Sequence, residues 1–271
     1  EALPTLAAYL AGFLDGDGAI GINRGKRGRV DVCMSNTHHG ALQWIRDTVP
    51  YAGYWRSKST KKAHHKPMYE VMWQGPGAHG LLRTLAPYLI IKRHFASQAM
   101  VFHTASLSTQ ERRVFVPIHP SPCSDPACVL PPAFPEEVFW AYMAGFVDAE
   151  GCIHLTTRDH DVLLRIGNTH RCVLLFLRQH ALASGSVTSH PATSTRMTAA
   201  HELSFYNQRC ATVLTHILPF LHIKRQQAEL VLDFFAHRKT CDVMPYQVEL
   251  YTLNRRCLIG QLSLFQIVEK T

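Results

Sequence analysis

No apolar run in this chain reaches the roughly 18 residues that a membrane-spanning helix needs, so a membrane partner is not expected. A dense disulfide framework is missing too. The eight cysteines stand mostly singly among apolar neighbours and read as buried thiols, which favours a reducing compartment over secretion. The first residues carry no cationic leader, so an intracellular location is expected. Acids are scarce: 20 Asp and Glu stand against 28 Lys and Arg, giving a formal net charge of +8. None occurs between Ala52 and Tyr69. Such a chain suits a polyanionic partner, although a solvated cationic face would explain the charge alone equally well. What is plentiful is apolar material, 46% of the 271 residues, which supports a packed core and argues against wholesale disorder.

The chain repeats itself. Tyr9-Leu10-Ala11-Gly12-Phe13-Leu14-Asp15-Gly16-Asp17-Gly18-Ala19-Ile20 returns 133 positions later as Tyr142-Met143-Ala144-Gly145-Phe146-Val147-Asp148-Ala149-Glu150-Gly151-Cys152-Ile153. Four further anchors return 132 positions later: Asn36-Thr37-His38, Gly53, Glu70-Val71-Met72-Trp73 and Pro87-Tyr88-Leu89-Ile90-Ile91-Lys92-Arg93. One module is therefore used twice. In each copy the periodicity predicts a helix (residues 5–14 and 136–147), a hairpin, a helix (40–49 and 172–183), a second hairpin (54–73 and 187–205) and two closing helices. The expected fold is α+β: two pseudo-twofold-related modules of order αββαββα(α), each with a four-stranded antiparallel sheet. The expected boundaries are residues 1–107 and 135–237 for the modules, a stiff proline-rich linker at 108–134, and a tail at 238–271 without a counterpart. Cys123 and Cys128 in the linker lack the second pair that a zinc site would need.

The first helix of each copy carries small residues four apart, Gly12 and Gly16 in one, Gly145 and Ala149 in the other. Such spacing lets two helix backbones approach closely. Two equivalent helices packed about a pseudo-twofold axis would bring Asp17 and Glu150 together at their C-terminal ends. Carboxylates there oppose the helix dipole, and two of them repel unless a cation sits between. Hard oxygens suit Mg²⁺, or Mn²⁺ or Ca²⁺ at the same place, and such an ion can activate water beside a phosphodiester.

These two segments resemble the paired signature of the single-chain LAGLIDADG homing endonucleases. The resemblance spans both modules and leaves linker and tail outside. It implies a saddle of two sheets on double-stranded DNA, metal-assisted cleavage of both strands leaving short 3′ overhangs, and a pseudo-symmetric monomer needing no protein partner. It makes Asp17 and Glu150 the metal acids, with Glu replacing the usual Asp in the second copy. It gives Lys92 and Lys224 a place in a basic pocket near the scissile phosphates. It gives His38 and His170 a role in ordering water near the metals, with helix capping or packing an equal alternative for both.

DNA contacts are expected on the sheet faces away from the apolar residues, since two-stranded ribbons fit the major groove. The candidates in the first module are Asn23, Arg24, Lys26, Arg27, Arg29, Arg56, Lys58, Lys61, Lys62 and Lys66. Those in the second are Thr156, Arg158, Arg165, Thr188, His190 and Arg196. The imbalance implies unequal half-sites. Two other functions fit the same fold, an RNA-splicing maturase and a non-catalytic DNA-binding protein. Intact acids and lysines in both copies favour the enzyme.

Overall fold

The computed structural model describes residues 3–23, 28–58, 67–105, 108–115, 133–156, 161–182, 184–193 and 198–255. The first repeat runs α1 (Pro4–Asp17), β1 (Gly18–Asn23), β2 (Arg29–Asn36), α2 (His39–Thr48), β3 (Tyr54–Lys58), β4 (Met68–Gln74), α3 (Pro76–Leu85) and α4 (Arg93–Thr104). A short α5 (Thr109–Val114) follows. The second repeat runs α6 (Glu136–Glu150), β5 (Gly151–Leu155), β6 (Val162–Asn168), α7 (Arg171–His180), β7 (Ser186–His190), β8 (Ala200–Tyr206), α8 (Asn207–Ile217) and α9 (Arg225–His237). A last helix, α10, covers Val243–Arg255.

The two sheets are antiparallel and share one topology, β1-β2-β4-β3 and β5-β6-β8-β7. Their strands alternate as a half-buried sheet should. Val30, Val32 and Met34 of β2 point into the core, and Val162, Leu164 and Ile166 of β6 do the same. Helices cover that inner face. The opposite face exposes residues such as Asn23, Arg56, Arg165 and Thr188, while Glu70, Met72, Leu163 and Ser204 on it are buried.

α1 and α6 are apolar on every side, with residues 7–15 and 138–148 buried throughout. A helix of that kind belongs in the centre of a core. The two pack against each other, and their glycines set the distance. A Cβ on Gly12 would lie 2.1 Å from the carbonyl oxygen of Tyr142, and one on Gly145 would lie 2.0 Å from that of Tyr9. No side chain fits there, so backbone touches backbone at two equivalent points.

Three local expectations need correction. α1 and α6 continue three residues past Leu14 and Val147 and end on the acids themselves. α7 ends at His180, earlier than its pattern suggests, and Leu182 turns the chain with a left-handed φ of 58°. The proline-rich stretch does not begin as an extended linker. Ser108 and Glu111 form a reciprocal capping box on α5, and Phe115 packs on Phe102. The described part of the tail packs as well: Leu250 and Leu253 of α10 are buried. Gln247 and Asn254 donate to the carbonyls of Thr156 and Ile153, beside the edge strand β5.

Candidate active site

Asp17 closes α1 and Glu150 closes α6, and neither helix has a basic residue in its last turn. Each carboxylate therefore adds negative charge where carbonyl groups already point. Asn36 donates its side-chain amide to Asp17 at 2.6 Å, and Asn168 donates to Glu150 at 3.2 Å. Burial pushes both carboxyls above their ordinary range, and the charge of Asp17 raises Glu150 further. The asparagine bonds and the ammonium groups of Lys92 and Lys224 act in the opposite direction.

Two residues earlier on each helix, another acid has a different fate. Asp15 accepts backbone N–H bonds from Ile90, Ile91 and Lys92, and the hydroxyl of Tyr142 from the other repeat at 2.8 Å. Asp148 accepts from His222, Ile223, Lys224 and the hydroxyl of Tyr9, also at 2.8 Å. Both aspartates are almost fully buried. They fix the segment before α4 or α9 and lock the two repeats together. Sequence reasoning missed this role, although the matched tyrosines and the first acid of each motif were its signal.

That clamp places the lysines. Lys92 and Lys224 stand at the N-cap positions of α4 and α9, and their ammonium groups turn back to the motif helices. Lys92 donates to the carbonyl of Asp15, and Lys224 to those of Val147 and Asp148. Burial pushes both lysines below their usual value, while the neighbouring acids hold them up. Arg93 and Arg225 are spent locally, each donating to two carbonyls of the preceding turn.

The histidines diverge. His38 caps α2, its Nδ1 accepting from the amide of Ala41 at 3.0 Å. His170 holds the same N-cap position on α7 without a side-chain cap. Burial and the charge of Lys92 push it down.

A cavity of about 450 Å³ opens beside Asp17, lined among others by Asn36, His38, Lys224 and Gln227. Leu253 and Asn254 of α10 form part of its wall, so α10 reaches the cavity beside Asp17. Among the described residues no group of three or more His, Cys, Asp or Glu gathers to hold a metal. The acids offer two carboxylates, dehydrated and repelling each other. That donor set fits a hard divalent cation which completes its shell with water and phosphate oxygens.

Of the groove candidates, Asn23, Arg29, Arg56, Arg165, Thr188 and His190 are exposed on the open sheet faces. Arg29 pairs with Asp31 at 2.8 Å. Thr156 sits at the end of β5, and its hydroxyl accepts from the amide of Asp161. Lys58 lies in β3, paired with Met68. Arg24, Lys26, Arg27, Lys61, Lys62, Lys66, Arg158 and Arg196 lie outside the described residues, as do Cys123 and Cys128.

No protein-family model matches the chain. The DNA endonuclease I-CvuI of Chlorella vulgaris is 32% identical over 114 residues, covering 38% of this chain and 67% of that protein. The solved structure of LAGLIDADG homing endonuclease I-GzeII with its DNA target is 14% identical and has a TM-score of 0.59. That match covers 93% of this chain and 97% of the other. I-SmaMI, bound to uncleaved DNA in the presence of calcium ions, is 11% identical with a TM-score of 0.55, covering 93% and 98%. At those identities the two structures bear on the fold alone.

Proposed function

This chain belongs to the LAGLIDADG homing endonuclease family, and we propose that it cuts both strands of one long, asymmetric DNA site between Asp17 and Glu150. The observation that carries this reading is the pair of acids at the ends of two helices in backbone contact. Asp17 and Glu150 would hold the divalent cation, Mg²⁺ or in its place Mn²⁺ or Ca²⁺. Bound there, such an ion supplies water activation and stabilisation of the leaving oxygen of a phosphodiester.

The chain's own residues do the rest. Asn36 and Asn168 orient the two carboxylates. Lys92 and Lys224 place positive charge beside the acids, where charge developing on a phosphate would be stabilised. Burial and Lys92 favour the neutral ring of His170, which could order water or move a proton. His38 has only Nε2 left for such work, because Nδ1 caps α2. The open faces receive DNA, with most of the exposed cations meeting phosphate. Residues 1–107 and 135–237 would each bind one half-site, leaving short 3′ overhangs after both cuts.

The test is a library of randomised duplexes incubated with the protein and Mg²⁺. One recoverable, nearly non-palindromic cut site is expected. No cut product with any divalent metal would overturn the reading.

A further inference from the structure

Two acids sit where a DNA-binding surface should avoid them. Glu70 of β4 and Glu202 of β8 occupy equivalent positions on the sheet face away from the core, Glu70 buried there and Glu202 partly exposed. A carboxylate there repels phosphate, so its presence needs a compensating role. Each acid lies at ion-pair distance from an arginine. Arg56 lies 3.7 Å from Glu70, and Arg165 lies 3.7 Å from Glu202. Each acid is itself held by a serine: Ser35 donates to Glu70 at 2.9 Å, and Ser204 donates to Glu202 at 3.0 Å. The side chain of Glu70 is only 2% exposed, while its arginine is 60% exposed. For Glu202 and Arg165 the values are 31% and 45%.

We propose that Glu70 and Glu202 are positioning residues that fix Arg56 and Arg165 as guanine readers, one in each half-site. This rests on the DNA-cleaving function proposed above. An arginine whose charge is already partnered gains less from phosphate, but its remaining N–H donors keep their direction. The fixed fork of a guanidinium matches O6 and N7 of guanine in the major groove. Holding it in advance removes rotamer freedom that would otherwise be lost on binding.

The two readers do not sit at equivalent places. Arg56 is on β3, three strands from β1, and Arg165 is on β6, next to β5. At roughly 4.8 Å per strand, that is about 14 Å against about 5 Å from the strand that follows each acid. Arg165 pairs with Cys152, two residues after Glu150. The guanine it reads should lie closer to the cut than the one read by Arg56. Arg29 and Asp31 form a similar pair without a counterpart in the second repeat, where Asp161 and Leu163 stand.

The experiment measures cleavage of every single-base variant of the target that the wild type selects from randomised duplexes. R165A should lose its preference for one G·C pair by roughly 5- to 150-fold, the range of a bidentate contact. E202Q should relax preference at that same pair, and leave the ratios elsewhere unchanged. R56A and E70Q should share a second G·C pair, farther from the cut. Should buried Glu70 prove necessary for folding, Glu202 and Arg165 decide alone, with thermal unfolding confirming that E202Q is folded. E202Q keeping full preference where R165A loses it would overturn the proposal. So would E202Q erasing a preference that R165A retains, since the acid would then be reading cytosine directly. A wild type that selects no target overturns the proposed function, and this inference with it.

Discussion

At the end of α1, Asp15 gathers three backbone amides and a tyrosine from across the pseudo-dyad, and at the end of α6, Asp148 gathers the matching set. On the open faces the match ends. The first repeat puts its acid-held arginine on β3 and the second puts it on β6. Duplication has therefore kept the clamp that builds the site and let the surface that meets DNA drift. The same split appears in the matched histidines. His38 is tied into a cap and His170 is not, although both stand at the same turn.

The comparison can be broken in ranked steps. The largest effect should come from removing metal. Chelation with EDTA should lower cleavage by about 10³-fold or more, while the protein stays folded, because hydrogen bonds and backbone contact hold the two repeats together. A cleavage rate that survives chelation would remove the need for the paired acids.

Next comes the helix contact. Gly12→Val and Gly145→Val each force a side chain onto a facing carbonyl oxygen. Each should cost more than about 3 kcal/mol in denaturant unfolding, and by similar amounts. Unequal costs would mean that the contact is less symmetric than it looks.

Tyr9→Phe and Tyr142→Phe remove one donor from Asp148 and Asp15 respectively. Each should cost about 1–3 kcal/mol, the range for leaving a buried polar group short of a hydrogen bond. The pair again tests equality, now at the clamp.

The smallest effect is acid sensitivity, and it should be unequal. Burial pushes His154, His170, His180, His201 and His222 down, all in the second repeat, and His79 down in the first. A histidine held below its unfolded value of about 6.5 stabilises fully above that pH. The contribution is lost as pH falls through the folded value. Hydrogen exchange from pH 7.5 down to 5 should show β5 to β8 losing protection before β1 to β4. Equal loss in both sheets would sink this expectation.

Much of this was legible in the sequence, for local reasons. The repeat fixed the topology because each strand and helix carries its own periodicity. The small residues of α1 and α6 announced a close contact, and their last residues announced the acids. Long-range roles were not legible. The amides that Asp15 receives come from residues 75 to 77 positions away, and nothing near Asp15 points to them. The capping box of Ser108 and Glu111 was written in the sequence, but it was outweighed by the prolines that follow. The tail offered no repeat to compare with, so its packing beside β5 came only from the structure. Glu70 and Glu202 served in the sequence only as repeat anchors; the structure sets Arg56 directly across from Glu70 and Arg165 diagonally from Glu202.

The most direct measurement is Asp17→Asn, assayed for cleavage, DNA binding and thermal unfolding on one selected target. Burial holds the Asp17 carboxyl above its unfolded value, so its ionised form opposes folding at neutral pH. Asparagine removes that opposition. The expected result is cleavage lost by about 10³-fold, binding kept, and a melting temperature equal to or above that of the wild type. Binding that falls as far as cleavage, or a protein that melts earlier, would make Asp17 a structural residue and contradict its place at the centre of the site.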